Sequence, residues 1–523
     1  MSGIDGGEGM RLQRTIGLLL VLFLVGVSVG VLSAEVTALR VRLAADVVNL
    51  DPAQLHTAAD RLIAQQVVEG LVQLDWTQEA PFPVKPRIAE SYEVSEDGRE
   101  ITFRLNRGIQ FHGGYGELTA EDVVFSLSRH MDPTVGSQES SNFNDVEDIQ
   151  LVDSYTVKVV LKTPSAITFL SLLAWQGSGM IVAKDAVEEL GDSFQRHPIG
   201  TGPYYFSEWR PGVEVVLKKF EEYWGAPSWG FGSPAYDEIH ALIIREDTLA
   251  LDALETGEVD VVGLVEKPSM TRAQGIPGIK LVSSLGGSWH HIVFFNHTKA
   301  PMNNLKVRQA LAHALDLGKI ADRLGPMQNM YPSPFNQVCF GSTDEYWEYD
   351  YSPDRARELL AEAGYADGLE INFIYPKVYM YEDVVLEVAN AWTQIGVDVN
   401  LSVIEYGVYK KTILEYDHDI CLWSMTRFAP FLYAQSYITG SPQNYFGYSN
   451  AAMDELVALA AREGNQEKAL DLWKRVQKAI TKEVVGIYPA EQVAWAAISD
   501  AVDGVIVIPF STLVDLAGAH PAQ

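Results

Sequence analysis

Short runs in which apolar and polar residues alternate recur along this chain, and between them lie helices with explicit start and stop signals. Leu39, Val41 and Leu43 alternate with Arg40 and Arg42, the two-residue period of a strand with one buried face. Ile101, Phe103 and Leu105 alternate with Thr102 and Arg104. Val157, Val159 and Leu161 repeat the pattern around Lys158, and Val213, Val215 and Leu217 repeat it around Glu214. Ser352 is a good N-cap, Pro353 suits the first helical turn, and Gly364 sits where a helix end needs a left-handed residue. Ala356, Leu359, Leu360 and Ala363 then share one face. Thr119 caps a second helix through Val123, Val124 and Leu127. Two interleaved periods predict an α/β or α+β protein, and 523 residues allow about three domains. A hydrophobic fraction of 47% and a charged fraction of 21% exclude a disordered or fibrous chain.

The N-terminus points to export. Arg11 and Arg14 precede an uncharged run from Ile16 to Leu32, followed by Ser33-Ala34-Glu35, the order of a secretory signal. As a helix the run would reach roughly 25 Å, short of the ~30 Å hydrocarbon core. Residues 1–38 are therefore read as a signal peptide, cut after Ala34 or Ala38, with an uncleaved membrane anchor as the alternative. Met10 is an alternative start. The chain carries 69 acidic and 39 basic residues, a net charge of −30. That balance argues against nucleic acid, whose phosphates need clustered Lys and Arg. It leaves open what a sheltered pocket prefers. Neither of the two cysteines, Cys339 and Cys421, follows the apolar run, which disfavours a lipoprotein and favours a soluble periplasmic protein. In an oxidising compartment the two could form one disulfide, worth roughly 4–5 kcal/mol by loop entropy; two free buried thiols are equally open.

Catalytic chemistry is not apparent. The chain has no H-E-x-x-H, G-x-S-x-G, Walker or Rossmann glycine pattern, so no catalytic residue, metal ligand or cofactor is expected. His290-His291 is the only histidine pair. On a strand its members would point to opposite faces and could not grip one metal, which favours a satisfied or solvent-facing pair.

Over nearly the whole mature length the chain resembles the family 5 solute-binding proteins of oligopeptide, dipeptide and nickel ABC importers. The stretches that carry the resemblance are VVNLDPAQ (47–54), VVEGLVQLD (67–75), PRIAESYEVSEDGREITFRLNRGIQFHGG (86–114) and LTAEDVVFSLSRHMDP (118–133). So do IGTGPYYFSEWRPG (199–212), EYWG (222–225), LETGEVDVV (254–262), VRQALAHALD (307–316) and ARELLAEAGYADG (356–368). The resemblance implies a two-lobed α/β periplasmic binding protein (type II, cluster C-like) with three domains and a hinge. Carried onto this chain, domain I is 39–68, 199–287 and 489–523, domain II is 69–198 and domain III is 288–488. The crossings near Gly286 and Ile487 then form the hinge. The implied function is capture of a peptide or peptide-like solute and delivery to an ABC permease, by a monomer. Asp97-Gly98 reads as a hairpin turn, and Tyr204, Tyr205 and Trp209 read as core.

Ligand residues are expected where strands of this family reach the cleft: His56, Trp289, Tyr406, Trp423, Thr426 and Arg427, with Trp175 from domain II. Aromatic rings there would stack on amides or sugars. In the family's peptide receptors the tryptophan matching Trp423 is followed three residues later by an aspartate that meets the ligand's ammonium; here Thr426 holds that place. An unpaired buried ammonium costs several kcal/mol. Either another acid such as Glu405 serves, or the ligand has no free amine there and Arg427 meets a carboxylate or phosphate. An oligosaccharide or other small polar solute is therefore a rival ligand. An exported enzyme and a membrane-anchored sensor are the alternatives from other classes.

Overall fold

The strand Ala38–Leu43 buries Leu39, Val41 and Leu43 as its alternation predicts, but on its other face Arg42 is buried too, while Arg40 beside it stays partly exposed. Arg42 is only 5% exposed. Its guanidinium meets Asp247 at 2.8 Å and the carbonyls of Ile244, Gly263 and Arg245. A buried charge is tolerable when it is paired and hydrogen-bonded in this way. The cause is position: the strand lies inside a sheet, between Glu238–Ile243 and Val261–Leu264, and both pairings are parallel.

The computed structural model describes residues 37–75, 83–174, 177–225, 233–264, 267–427, 429–509 and 514–522. Its main feature is an eleven-stranded mixed sheet. The order runs Val397–Ile404, Leu369–Pro376, Ile420–Met425, Ile279–Phe295, Gly486–Ser499, Val261–Leu264, Ala38–Leu43, Glu238–Ile243, Glu214–Lys219, Tyr204–Arg210. Gln328–Asn329 pairs beside Gly486–Ser499. The two long strands, Ile279–Phe295 and Gly486–Ser499, form an antiparallel ribbon joining the two halves of the sheet. Its register shifts between Ser283 and Gly287, between Gly287 and His290, and between His291 and Val293. Bulges of this kind bend a ribbon locally without ending it. The expected crossings at Gly286 and Ile487 lie on this ribbon.

A separate four-stranded antiparallel sheet has the order Ala89–Val94, Glu100–Leu105, Thr156–Leu161, Val146–Asp153. Gly98, with φ 68°, makes its first hairpin turn, and the Gly98 amide donates to the Ser95 carbonyl. The backbone of Gly464 comes so close to this turn that a Cβ on Gly464 would lie 3.0 Å from the Gly98 Cα. The helices Ala120–Ser128 and Pro353–Glu362 start where the caps predict: Thr119 forms a capping box with Asp122, and Ser352 accepts from the Arg355 amide.

Several stretches that carry the family resemblance converge on one buried carboxylate. Glu69 is 5% exposed. It pairs with Arg87 and accepts from Thr201 Oγ1 at 2.8 Å, Tyr223 OH at 3.0 Å and Trp224 Nε1 at 2.7 Å. Gly200 and Gly202 pack on the backbone of Val67 and Gln66, where a Cβ would come within 2.3 and 2.5 Å of carbonyl oxygens. Four separated motifs are thus one structural lock. Arg308, in VRQALAHALD, has the same character: it is buried and donates to the carbonyls of Met302, Glu483 and Val484. Tyr204 is wholly buried, and Trp209 packs on the same core while donating to Asp46. Cys339 and Cys421 are free thiols, both fully buried in one apolar cluster. Of the two readings of the pair the structure has the unbonded one, and burial pushes the Cys421 thiol up to about 12.

Candidate ligand-binding site

The strand Ile420–Met425 turns Cys421, Trp423 and Met425 to one face and lies beside the joining ribbon, with Ile292 opposite Trp423 and His290 opposite Met425. Helix Tyr406–Leu414 lays two tyrosines against Trp423. Tyr409 stacks at 6.1 Å between centroids with 7° between planes, and Tyr406 at 6.3 Å with 25°. Tyr445 closes a third side at 5.4 Å. Tyr409 is fully buried and donates to the Leu422 carbonyl, so it anchors the stack. Tyr406 is 50% exposed and Trp423 half-buried, so the stack presents open ring surface. Such surface suits a flat or apolar ligand group at low cost in rotamer entropy.

Of the expected ligand residues, Tyr406 and Trp423 are in ring contact, and Thr426 and Arg427 follow directly, both half-buried. Arg427 donates to the Thr426 carbonyl at 2.9 Å and pairs with no carboxylate among the described residues. Trp289, 39% exposed, lies on the ribbon next to His290. His56 is exposed, and its backbone amide donates to Asp60 at the start of helix Ala58–Val67. Among the described residues no hydrogen bond or ring contact joins it to the stack. Trp175 lies outside the described residues. Glu405, the candidate substitute acid, is engaged as the N-cap of its helix, accepting from the amides of Gly407 at 2.9 Å and Val408 at 3.3 Å. Sequence reasoning missed Tyr409 and Tyr445. Tyr409 was within reach, since residues three apart on a helix share a face.

The histidine pair differs from expectation in one respect. Its members do face opposite ways. His291 bonds Ser424 Oγ at 2.6 Å and meets Tyr381, while His290 lies among Tyr433 and Tyr488. Both are fully buried, however, not solvent-facing, and neither nitrogen of His290 has a hydrogen-bond partner among the described residues. Burial holds His290 down to about 3 and His291 to about 4, so both are neutral. His290 is also opposite Glu491 across the ribbon. Glu491 is fully buried; its Oε1 accepts from the Gln337 amide at 2.9 Å and its Oε2 has no partner among the described residues. Burial pushes its carboxyl well above the usual range. Gly287 leaves the room it occupies, since a Cβ there would lie 1.9 Å from Glu491 Oε2. Among the described residues no group of three or more His, Cys, Asp or Glu is placed to hold a metal, and no helix is long and apolar enough to cross a membrane.

Comparison with known proteins agrees with this architecture. The chain is 27% identical over 478 residues to heme-binding protein A of Haemophilus influenzae, covering 86% of this chain and 85% of that one. It is 29% identical over 485 residues to di/tripeptide-binding protein 1 of Pseudomonas aeruginosa, covering 84% and 86%. The structure of HbpA2 from Haemophilus parasuis superposes with a TM-score of 0.83 at 24% identity, over 93% of this chain and all of that one. This is the two-lobed binding-protein fold. Residues 83–447 match the bacterial extracellular solute-binding proteins, family 5, and with that match spanning most of the described chain, the protein belongs to that family.

Proposed function

We propose that the protein is an extracytoplasmic receptor that captures a small solute between its lobes and delivers it, chemically unchanged, to the permease of an ABC importer. The observation that carries this reading is the half-open stack of Tyr406, Tyr409, Trp423 and Tyr445 on a strand that borders the ribbon between the two halves of the sheet. A ligand that touches both sides gains contacts only in the closed arrangement, so its binding energy drives closure. The lobes divide as domains I (39–68, 199–287, 489–523) and II (69–198) against domain III (288–488), and the signal at residues 1–38 directs export.

The ligand is a peptide or a peptide-like molecule, in keeping with a relative named for di- and tripeptides. One feature favours a second ligand class within the same role. Thr426 replaces an acid, Glu405 is spent on its helix cap, and Arg427 has no carboxylate partner among the described residues. The wall therefore suits an anionic group or a neutral polar solute, such as an oligosaccharide, better than a free ammonium. Thermal-shift screening of peptide, sugar and opine-like libraries separates the two classes. Stabilisation by saccharides alone would eliminate the peptide. For whichever compound binds, Trp423→Ala should weaken affinity at least tenfold and leave the melting temperature within a few degrees. An equal loss of both would make Trp423 a core residue. Release of a chemically altered compound by the purified protein would overturn the receptor reading.

A further inference from the structure

A cavity of about 600 Å³ lies away from the aromatic stack, between helix Ala166–Leu173 on one side and the helices Pro430–Ala434 and Ala451–Ala461 on the other. None of Tyr406, Tyr409, Trp423 or Tyr445 lines it. Helix Pro430–Ala434 separates the two places. Tyr433 is buried in the core and donates to the Met425 carbonyl, whereas Phe431 and Leu432 stay half-buried and line the cavity. Phe169 and Leu172 from one side and Val457 and Ala458 from the other complete an apolar floor.

The volume is that of a small-molecule pocket, for which ~300–1,000 Å³ is usual. An occupant of matching chemistry would take the apolar side chains of this floor out of water and gain contact with them. The polar groups at the rim restrict that chemistry. Asp145 is engaged by the hydroxyls of Thr163, at 2.8 Å, and Ser165, and Asp454 accepts from the Thr439 amide at 2.9 Å. The rim carries charges of both signs, since Asp145 and Asp454 repel an anion and exposed Arg462 repels a cation, so no single sign of charge is favoured there. What remains favourable is an uncharged molecule with an apolar body.

We propose that this cavity is a second binding site, for a small uncharged amphipathic molecule, built from both sides of the interlobe cleft and independent of Trp423. An occupant touches residues 145–172 and residues 431–462 together, so binding holds these two regions in register. The site goes beyond the receptor reading and rests on it only for the division into lobes.

N-phenyl-1-naphthylamine, an uncharged probe that brightens in apolar surroundings, tests the site by fluorescence titration of the full-length protein. Saturable binding is expected, at least tenfold weaker in Ala458→Trp, whose indole intrudes on the apolar floor, and unchanged within twofold in Trp423→Ala. Gln435→Trp, which enters the same space from the residue that ends helix Pro430–Ala434, should act like Ala458→Trp, and melting curves identify any variant that has failed to fold. Absence of saturable binding would overturn the proposal. So would equal affinity in both folded cavity variants, or loss of binding in Trp423→Ala, which would place the probe in the aromatic site. None of these outcomes bears on whether Trp423 holds the transported solute.

Discussion

Replacing Glu491 by glutamine should stabilise the protein, and the gain should grow with pH. The carboxyl lies fully buried against the ribbon, with one oxygen bonded to the Gln337 amide and the other over Gly287, without a partner among the described residues. The side chains around it offer no compensating charge: His290 is neutral, and burial keeps Cys339 and Tyr433 protonated. Its folded pKa is raised above the unfolded value of ~4.3. Below that value both states carry the proton and the group costs nothing. As pH rises, the unfolded chain releases the proton while the folded chain keeps it, and stability falls until the folded pKa is reached. The slope is about 1.4 kcal/mol per pH unit, so the ceiling at pH 7 is roughly 4 kcal/mol. Glutamine keeps the shape and the bond to Gln337 but does not titrate. Urea denaturation of both proteins at pH 4, 5, 6 and 7 would read the difference directly. It should be small at pH 4 and should widen at each step in favour of the variant. A difference independent of pH, or a variant that loses ground as pH rises, would mean that the folded protein holds Glu491 ionised and paired, and the reasoning would fail.

Two further perturbations test the frame around the site. Glu69→Gln removes the partner of buried Arg87 and weakens the lock formed with Thr201, Tyr223 and Trp224; a loss of about 3–5 kcal/mol is expected. Denaturant midpoints check it, and a loss under 1 kcal/mol would show that the lock is dispensable. Buried histidines act on pH in the sense opposite to Glu491. Burial lowers His112, His130, His291 and His418 to about 4, and His290 and His297 to about 3. Their contribution is intact above the unfolded value of ~6.5 and is lost as pH falls from there toward 4, because the unfolded chain takes up protons that the folded one refuses. Melting temperature should fall steadily from pH 7 to 4.5, and a flat profile would contradict this.

Much of the frame was legible in local sequence, because period and caps are local quantities. Val157, Val159 and Leu161 are buried as their alternation requires, and Ser352 and Thr119 cap the helices they precede. Arg42 was not legible as a buried residue, since its environment depends on strands and a helix some two hundred residues away in sequence. The site divides in the same way. Trp423 and Tyr406 followed from a resemblance, whereas Tyr445 reaches the stack through a loop whose path no local pattern encodes. Glu405 read as a spare acid until its bonds to two backbone amides identified it as a helix cap. The Glu491–Gly287 contact depends on a shift in strand register, and a one-residue slip would put every side chain on the opposite face.

The position of Gly486–Ser499 in the sheet has a consequence for how the chain assembles. This strand lies between Ile279–Phe295 and Val261–Leu264, although more than a third of the sequence separates it from both. Until it arrives, each of those neighbours has an edge with unpaired amides and carbonyls, open to any other extended segment. During synthesis or passage through a membrane, the early residues therefore cannot complete their final partnership. Loss of the last forty residues would leave a sticky half-sheet rather than a shorter receptor.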